Sequence, residues 1–306
     1  SNELTFMPNL HDHTHRGTKN YNRYFFIGIF LNTTIVLIEV VIGLLTNSLA
    51  LIADAGHNLT DVFSLILAWS AHFLSLQIPT ERRTYGLKKT TILASLLSSI
   101  LLFVALGGIL WETLQRLTNP IPIEGIPVVI VASIGVIING FTAYLFAAGQ
   151  KEDLNIRGAY LHMLADAGIS FSVVLGGICL WLFHWNWVDP MITIGIAIAI
   201  FIGTWGMLRD SLGLTLDFVP SETDMVGIRS YFLGLDNVLE IHDLHVWGIS
   251  THETALTVHI VLNQMDLDDQ LLYKIQKYLH DKHQIEHSTI QLEFKNSHTD
   301  YDPKCN

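Results

Sequence analysis

Cysteine is nearly missing from this chain, with two in 306 residues: Cys179 inside an apolar run and Cys305 next to the last position. No disulfide framework follows from that. Basic residues are scarce as well, 17 Lys and Arg against 28 Asp and Glu, for a formal charge of −11. Nucleic-acid binding leaves a basic footprint, so no nucleic-acid partner is expected. A cleavable signal peptide is not expected either, because the first twenty residues are polar and the first apolar run is long enough to span a bilayer. Hydrophobic residues, by contrast, make up 50% of the chain and charged ones 15%, with mean hydropathy +0.40. An ordinary soluble domain is less apolar.

The apolar residues are unevenly spread. Six stretches, near 24–45, 49–75, 88–116, 125–149, 154–184 and 189–213, reach the roughly 20 helical residues that cross a hydrocarbon core. Polar or turn-forming separators lie between them: Thr46-Asn47, Thr80–Tyr85, Asn119-Pro120-Ile121-Pro122, Gln150–Asp153 and Asn186 to Pro190. Arg16, Lys19, Arg23, Arg82, Arg83, Lys88, Lys89, Lys151, Arg157 and Arg209 fall on one side of such a bundle, and Arg116 alone on the other. Positive residues stay inside, so both termini are expected in the cytoplasm.

After Asp217-Phe218-Val219-Pro220 the pattern turns polar. Ser221 reads as the N-cap of a helix over Met225–Leu235. Residues 240–248 and 254–262 read as strands, the second alternating as Leu256, Val258, Ile260 and Leu262. An amphipathic helix, Leu267–His283, and a strand, Ser288–Phe294, complete an αββαβ order that resembles a ferredoxin-like α+β domain. The expected organisation is a tail over 1–23, a six-helix transmembrane domain over 24–213, a linker over 214–220, the α+β domain over 221–296 and a tail over 297–306. The fold class is thus a polytopic α-helical membrane protein with a C-terminal α+β domain.

The chemistry is concentrated in two repeated pairs. His57 and Asp61 lie four apart in the second span, and His162 and Asp166 four apart in the fifth. Residues four apart share a helix face. A single buried histidine is more often a hydrogen-bonded core residue, but recurrence of the pair on a second span points to a metal. Two buried aspartates would repel each other unless a cation lay between them. Two imidazoles and two carboxylates form a tetrahedral set suited to zinc, with cobalt, iron or cadmium also compatible. The lack of thiolates argues against copper(I), and calcium or magnesium would want more oxygens. Because imidazole must be neutral to bind metal, protons compete for the same atoms. A site exposed alternately to the two faces would then exchange metal for protons.

Weaker signals surround these four. Asn32 and Glu39 share a face of the first span, either lining a cavity and orienting the ligands or bonding helix to helix. Asn139 and Thr142 read as helix–helix hydrogen bonding, and Gly107-Gly108 and Gly176-Gly177 as places of close helix packing.

Several phrases resemble the cation diffusion facilitator family of zinc transporters: Asn47 to Asp61, Arg83-Thr84-Tyr85-Gly86, Asp153 to His162, and His242-Asp243-Leu244-His245-Val246-Trp247. The resemblance covers almost the whole chain. It implies six transmembrane helices, a cytoplasmic ferredoxin-like domain, a homodimer, and metal/proton antiport out of the cytoplasm. It also implies Zn(II) as substrate and as a structural or regulatory ion, with no organic cofactor. A His-Asp/His-Asp set resembles the zinc-preferring members. The family places cytoplasmic zinc ligands at positions matching His242, His259, His287 and Glu293, though surface histidines on an acidic domain would look the same. Cys305 is a candidate further ligand, His11, His13 and His15 a candidate gathering site, and Lys89 with Asp217 a candidate charge pair holding helices together. Two departures stand out. The stretch from Gly149 to Asp153 is too short for the histidine-rich loop of many eukaryotic members, which suggests a bacterial inner-membrane protein. The segment from Gln77 to Leu87 offers only Glu81 as a usual ligand, so no metal is expected there. The rival classes are an intramembrane metallohydrolase, which would need an open position for water, and a metal sensor without transport. An enzyme is not expected.

Overall fold

A computed structural model describes residues 21–147, 154–263 and 269–294. Six helices of 23 to 30 residues come first: α1 Tyr21–Thr46, α2 Leu49–Ser75, α3 Thr90–Thr118, α4 Gly125–Ala147, α5 Leu154–Phe183 and α6 Val188–Thr215. At 1.5 Å per residue each exceeds a hydrocarbon core of about 30 Å. Thr90–Thr118, Gly125–Ala147, Tyr160–Phe183 and Val188–Thr215 are also apolar enough to cross it, and Phe30–Thr46 is a shorter apolar segment. Pro127 and Pro190 sit in the first turns of α4 and α6, where no backbone donor is lost.

The bundle core gathers Ile35 of α1, Leu51 of α2, Leu102 of α3, Ala132 of α4, Val173 of α5 and Ile196 of α6. Its outer surface is apolar, with Leu37, Leu44, Val104, Ile137, Tyr144 and Ile202 exposed, as a lipid solvent requires. Phe183, Trp185 and Trp187 stack at the α5–α6 turn, rings of the kind found at a membrane–water boundary. Gly125 and Gly177 bring α4 and α5 together: a Cβ on Gly125 would lie 2.5 Å from Trp181 N. Gly107 and Gly108 do not pack as expected, since nothing among the described residues lies within 4 Å of a Cβ at either.

One buried cap ties three helices together at the end away from the α+β domain. Asn47 takes a left-handed conformation (φ 57°) that ends α1, and Ser48 N–H closes back on Gly43 O at 3.0 Å. The first turn of α2 then points its free N–H groups at Asp189 of α6. The Asp189 carboxylate accepts from Leu49 N at 2.8 Å, Ala50 N at 3.3 Å and Ser48 Oγ at 2.5 Å. Arg116 of α3 donates to Asn47 O and is itself buried, so the lone basic residue at this end is not a free charge.

At the other end, the α2–α3 connection turns through a Thr80–Arg83 bridge and Gly86, whose φ of +69° only glycine adopts without strain. The C-terminal domain sits there. Glu253 pairs with Lys88, Thr251 N donates to Thr91 Oγ1 at 3.1 Å, and His287 meets the Tyr85 ring edge-on.

That domain is α7 Met225–Leu233, β1 Val238–Gly248, β2 Thr254–Leu262, α8 Asp269–His283 and β3 Ile285–Phe294. The expected αββαβ order is present, with sheet order β1-β2-β3, β1 antiparallel to β2 and β3 parallel to it. The N-cap of α7 is Asp224 rather than Ser221; its carboxylate accepts from Gly227 N at 2.9 Å. Both residues are capping types, and the one adjacent to the helix is in reach. Ile228, Phe232, Ile275 and Leu279 cover one sheet face, packing on Leu256, Val258, Ile260 and Leu262, the alternating set of β2. Period two sends His259 to the opposite face.

Replacing Asp189 by Ala strands three buried donors. The expected result is a loss of about 1–3 kcal/mol, read as a lower thermal midpoint in detergent, with Asp189→Asn falling between it and wild type.

Candidate metal centre

α2 and α5 bring the two repeated pairs face to face near mid-helix. His57 Nε2 lies 3.6 Å from Asp61 Oδ2 and 3.4 Å from Asp166 Oδ1. His162 Nε2 lies 3.3 Å from Asp61 Oδ2 and 3.6 Å from Asp166 Oδ2. A tetrahedral ion with bonds of about 2.0 Å holds its ligand atoms about 3.3 Å apart. Each nitrogen–oxygen spacing is therefore close to the edge of such a tetrahedron. His57, Asp61 and Asp166 form the tighter group, within 4.8 Å of one another, and the His162 ring stands 6.0 Å from that of His57. Among the described residues, Asp61 Oδ2 and both oxygens of Asp166 are buried without a hydrogen-bond partner. Orphaned carboxylate oxygens aimed at one point are what a cation satisfies.

Access is graded. Side-chain exposure is 43% at His162 and 25% at Asp61, but 13% at His57 and 0% at Asp166. The first two lie nearer the α+β end of their helices. The centre opens on a cavity of about 800 Å³ between α5 and α6, where Gly168, Gly195 and Gly203 leave the space. Asn32 and Glu39 do not line it; both are buried on α1.

The polar face of the small sheet carries a second cluster. His242 Nε2 lies 3.1 Å from Glu293 Oε2 and His259 Nδ1 2.9 Å from Glu293 Oε1. His242 and His259 are cross-strand partners with rings 4.9 Å apart. His259 Nδ1 is buried without an aligned hydrogen bond, so the donor set fits a divalent ion. Burial opposes charge on Glu293, yet the hydrogen bond from His242 and the two imidazoles hold its carboxyl below the ordinary value.

His287 is not part of this cluster, which corrects the expected ligand set. Parallel pairing places His287 opposite Ala255, while Glu293 lies opposite Val261. Six residues of strand separate them, about 20 Å. His287 instead stands 3.7 Å from Glu253, at the junction with the helices. Gln291, opposite His259, takes a place near the cluster and donates to Glu293 Oε1 at 2.9 Å. His245 lines a groove beside Asp217, because a bulge at Asp243 (φ 49°) breaks the alternation of β1. Lys89 Nζ and Asp217 Oδ1 do meet, at 2.7 Å and half exposed. His11, His13, His15 and Cys305 lie outside the described residues.

Residues 25–214 match the family described as cation efflux transmembrane domain, and residues 220–295 match cation efflux protein, cytoplasmic domain. The chain belongs to the cation efflux family, also called cation diffusion facilitators. Among cation efflux proteins, it is 35% identical over 284 residues to the cation efflux system protein CzcD of Alcaligenes sp. (strain CT14), covering 92% of this chain and 89% of that protein. It is 33% identical over 296 residues to zinc transporter ZitB of Escherichia coli (strain K12), covering 95% and 94%. It is 32% identical over 288 residues to a cadmium, cobalt and zinc/H(+)-K(+) antiporter of Bacillus subtilis (strain 168), covering 92% and 91%. Cation efflux proteins are transporters rather than enzymes.

Sequence reasoning passed over Asp54, Ser170 and Asp189, all buried. The available signal was an acid inside or beside an apolar run with a hydroxyl partner on another span.

In the intact protein, His242→Ala or Glu293→Ala is expected to remove one bound zinc as counted by metal analysis after equilibrium dialysis, whereas His287→Ala leaves the count unchanged.

Proposed function

We propose that this protein is a zinc/proton antiporter that exports Zn(II) from the cytoplasm, with His57, Asp61, His162 and Asp166 as the transport ligands. The observation that carries the reading is the set of four nitrogen–oxygen spacings of 3.3–3.6 Å around one point at membrane depth. Ionisable residues there are costly without a function. The names of the relatives, zinc transporter and cadmium, cobalt and zinc antiporter, support the same cargo class.

The exchange follows from charge. Zinc binds only to neutral imidazole, so each His that ligates must shed any proton it holds. When the site turns to the other face, protons compete for the imidazoles and carboxylates and the metal leaves. The greater exposure of His162 and Asp61 supports a state open toward the α+β domain. In this reading that end is cytoplasmic, with both termini, and the membrane is the bacterial inner membrane.

The organisation proposed is a helical transport domain over 24–213, a linker over 214–220 and an α+β domain over 221–296, between tails over 1–23 and 297–306. The protein acts as a homodimer, with the open faces of Gly107 and Gly108 available to a second copy. The His242, His259 and Glu293 cluster holds a structural or regulatory zinc ion on the polar face of the sheet.

In proteoliposomes carrying a zinc dye, an imposed pH gradient is expected to drive zinc flux, and Asp61→Ala or Asp166→Ala to abolish it. Zinc binding without flux in the wild type would favour a sensor and contradict transport.

A further inference from the structure

A second polar cluster lies behind the metal centre, off the cavity. Glu39 of α1 is fully buried, and among the described residues neither of its carboxylate oxygens has an aligned hydrogen-bond partner. Facing it are Asp54 and Asn58 of α2 and Ser170 of α5, all fully buried. Ser170 Oγ donates to Asp54 Oδ2 at 2.7 Å, and Asn58 Nδ2 donates to Asp54 Oδ1 at 3.3 Å. The position a Cβ would take on Gly135 of α4 lies 2.9 Å from Glu39 Oε1 and 3.2 Å from Ser170 Oγ, so the glycine makes room for the acid. One turn along α4, Asn139 is 1% exposed and neither of its amide atoms is partnered among the described residues.

Two carboxyl groups thus sit together in a dry interior. Helices α2 and α4, which pack on α1, carry no lysine or arginine. The titratable groups that act on Glu39 are Asp54 from α2 and Asp166 from α5; from α4 it meets no acid or base at this depth, only amide and glycine. Asp54 accepts from two donors. Glu39 makes no aligned hydrogen bond among the described residues, the nearby Asn58 amide being directed at Asp54, and an ionised carboxylate so poorly solvated costs several kcal/mol. Of the two acids, Glu39 has the fewer partners for a negative charge.

We propose that Glu39 is a proton-carrying site of the transport cycle, protonated while the four-ligand centre is empty and ionised while a divalent cation fills it. The inference rests on the zinc/proton reading above. A dication among the four ligands cancels the negative charge of Asp166, which Glu39 feels. The Glu39 O–H bond then breaks and its proton passes to water. When the metal departs, the Glu39 carboxylate takes a proton back from water on the other side. The protons moved per metal ion then include one that no metal ligand carries.

The test is calorimetry of zinc binding to the intact protein in buffers of different ionisation enthalpy, which counts protons released. Glu39→Gln is expected to release about one proton fewer per zinc while its zinc affinity stays within a few-fold of wild type; Glu39→Asp retains the release. An unchanged proton count in Glu39→Gln overturns the proposal and makes Glu39 a structural acid. Should Glu39→Gln fail to fold, infrared difference spectra of the wild type decide: zinc addition is expected to bleach a protonated-carboxyl band that Glu39→Asp shifts, and no bleaching overturns the assignment. These readouts need no flux, so absent pH-driven flux in the wild type would defeat the transport reading separately.

Discussion

Two carboxylates, Asp61 and Asp166, are held around one point at membrane depth, and the rest of the structure answers to that constraint. Like charges about 5 Å apart repel by about 3 kcal/mol even at an effective dielectric of 20, and desolvation adds to the cost. Bare, the arrangement is unstable; with a dication at its centre the same groups attract. Zinc and protons are alternative solutions to one electrostatic problem. In the proposed exchange, that equivalence lets one site move both in opposite directions.

The scaffold keeps the problem from relaxing away. Asp189 clamps the start of α2 to the start of α6, which sets the depth of His57 and Asp61 two turns further on. Gly125 and Gly177 draw α4 against α5 and so set the depth of His162 and Asp166. The small side chains of α5 and α6 leave the cavity through which the centre is reached. The α+β domain engages the start of α3 through Lys88, Thr91 and Tyr85.

Much of this was legible in the residues. Long apolar runs announce helices because a bilayer leaves the backbone no other partner, and paired His and Asp four apart announce a shared face. The strand alternation of β2 placed its hydrophobic face correctly. What the residues alone did not settle depended on register and on contacts far apart in sequence. His287 looked like a ligand until parallel pairing set it six residues from Glu293. The bulge at Asp243 redirected His245 for the same reason. Asp189 and Asp54 escaped notice because their partners, Ser48 and Ser170, lie 141 and 116 residues away. The Ser221 cap was a choice between two capping residues that local pattern could not rank.

The central claim is that two imidazole nitrogens and two carboxylate oxygens hold the transported ion. Zinc-edge X-ray absorption on the zinc-loaded protein, with His242 and Glu293 replaced so that the cytoplasmic cluster is silent, reads that shell directly. The account predicts four light-atom ligands at about 2.0 Å with imidazole scattering. A sulfur ligand, or a six-oxygen shell without imidazole, would contradict it.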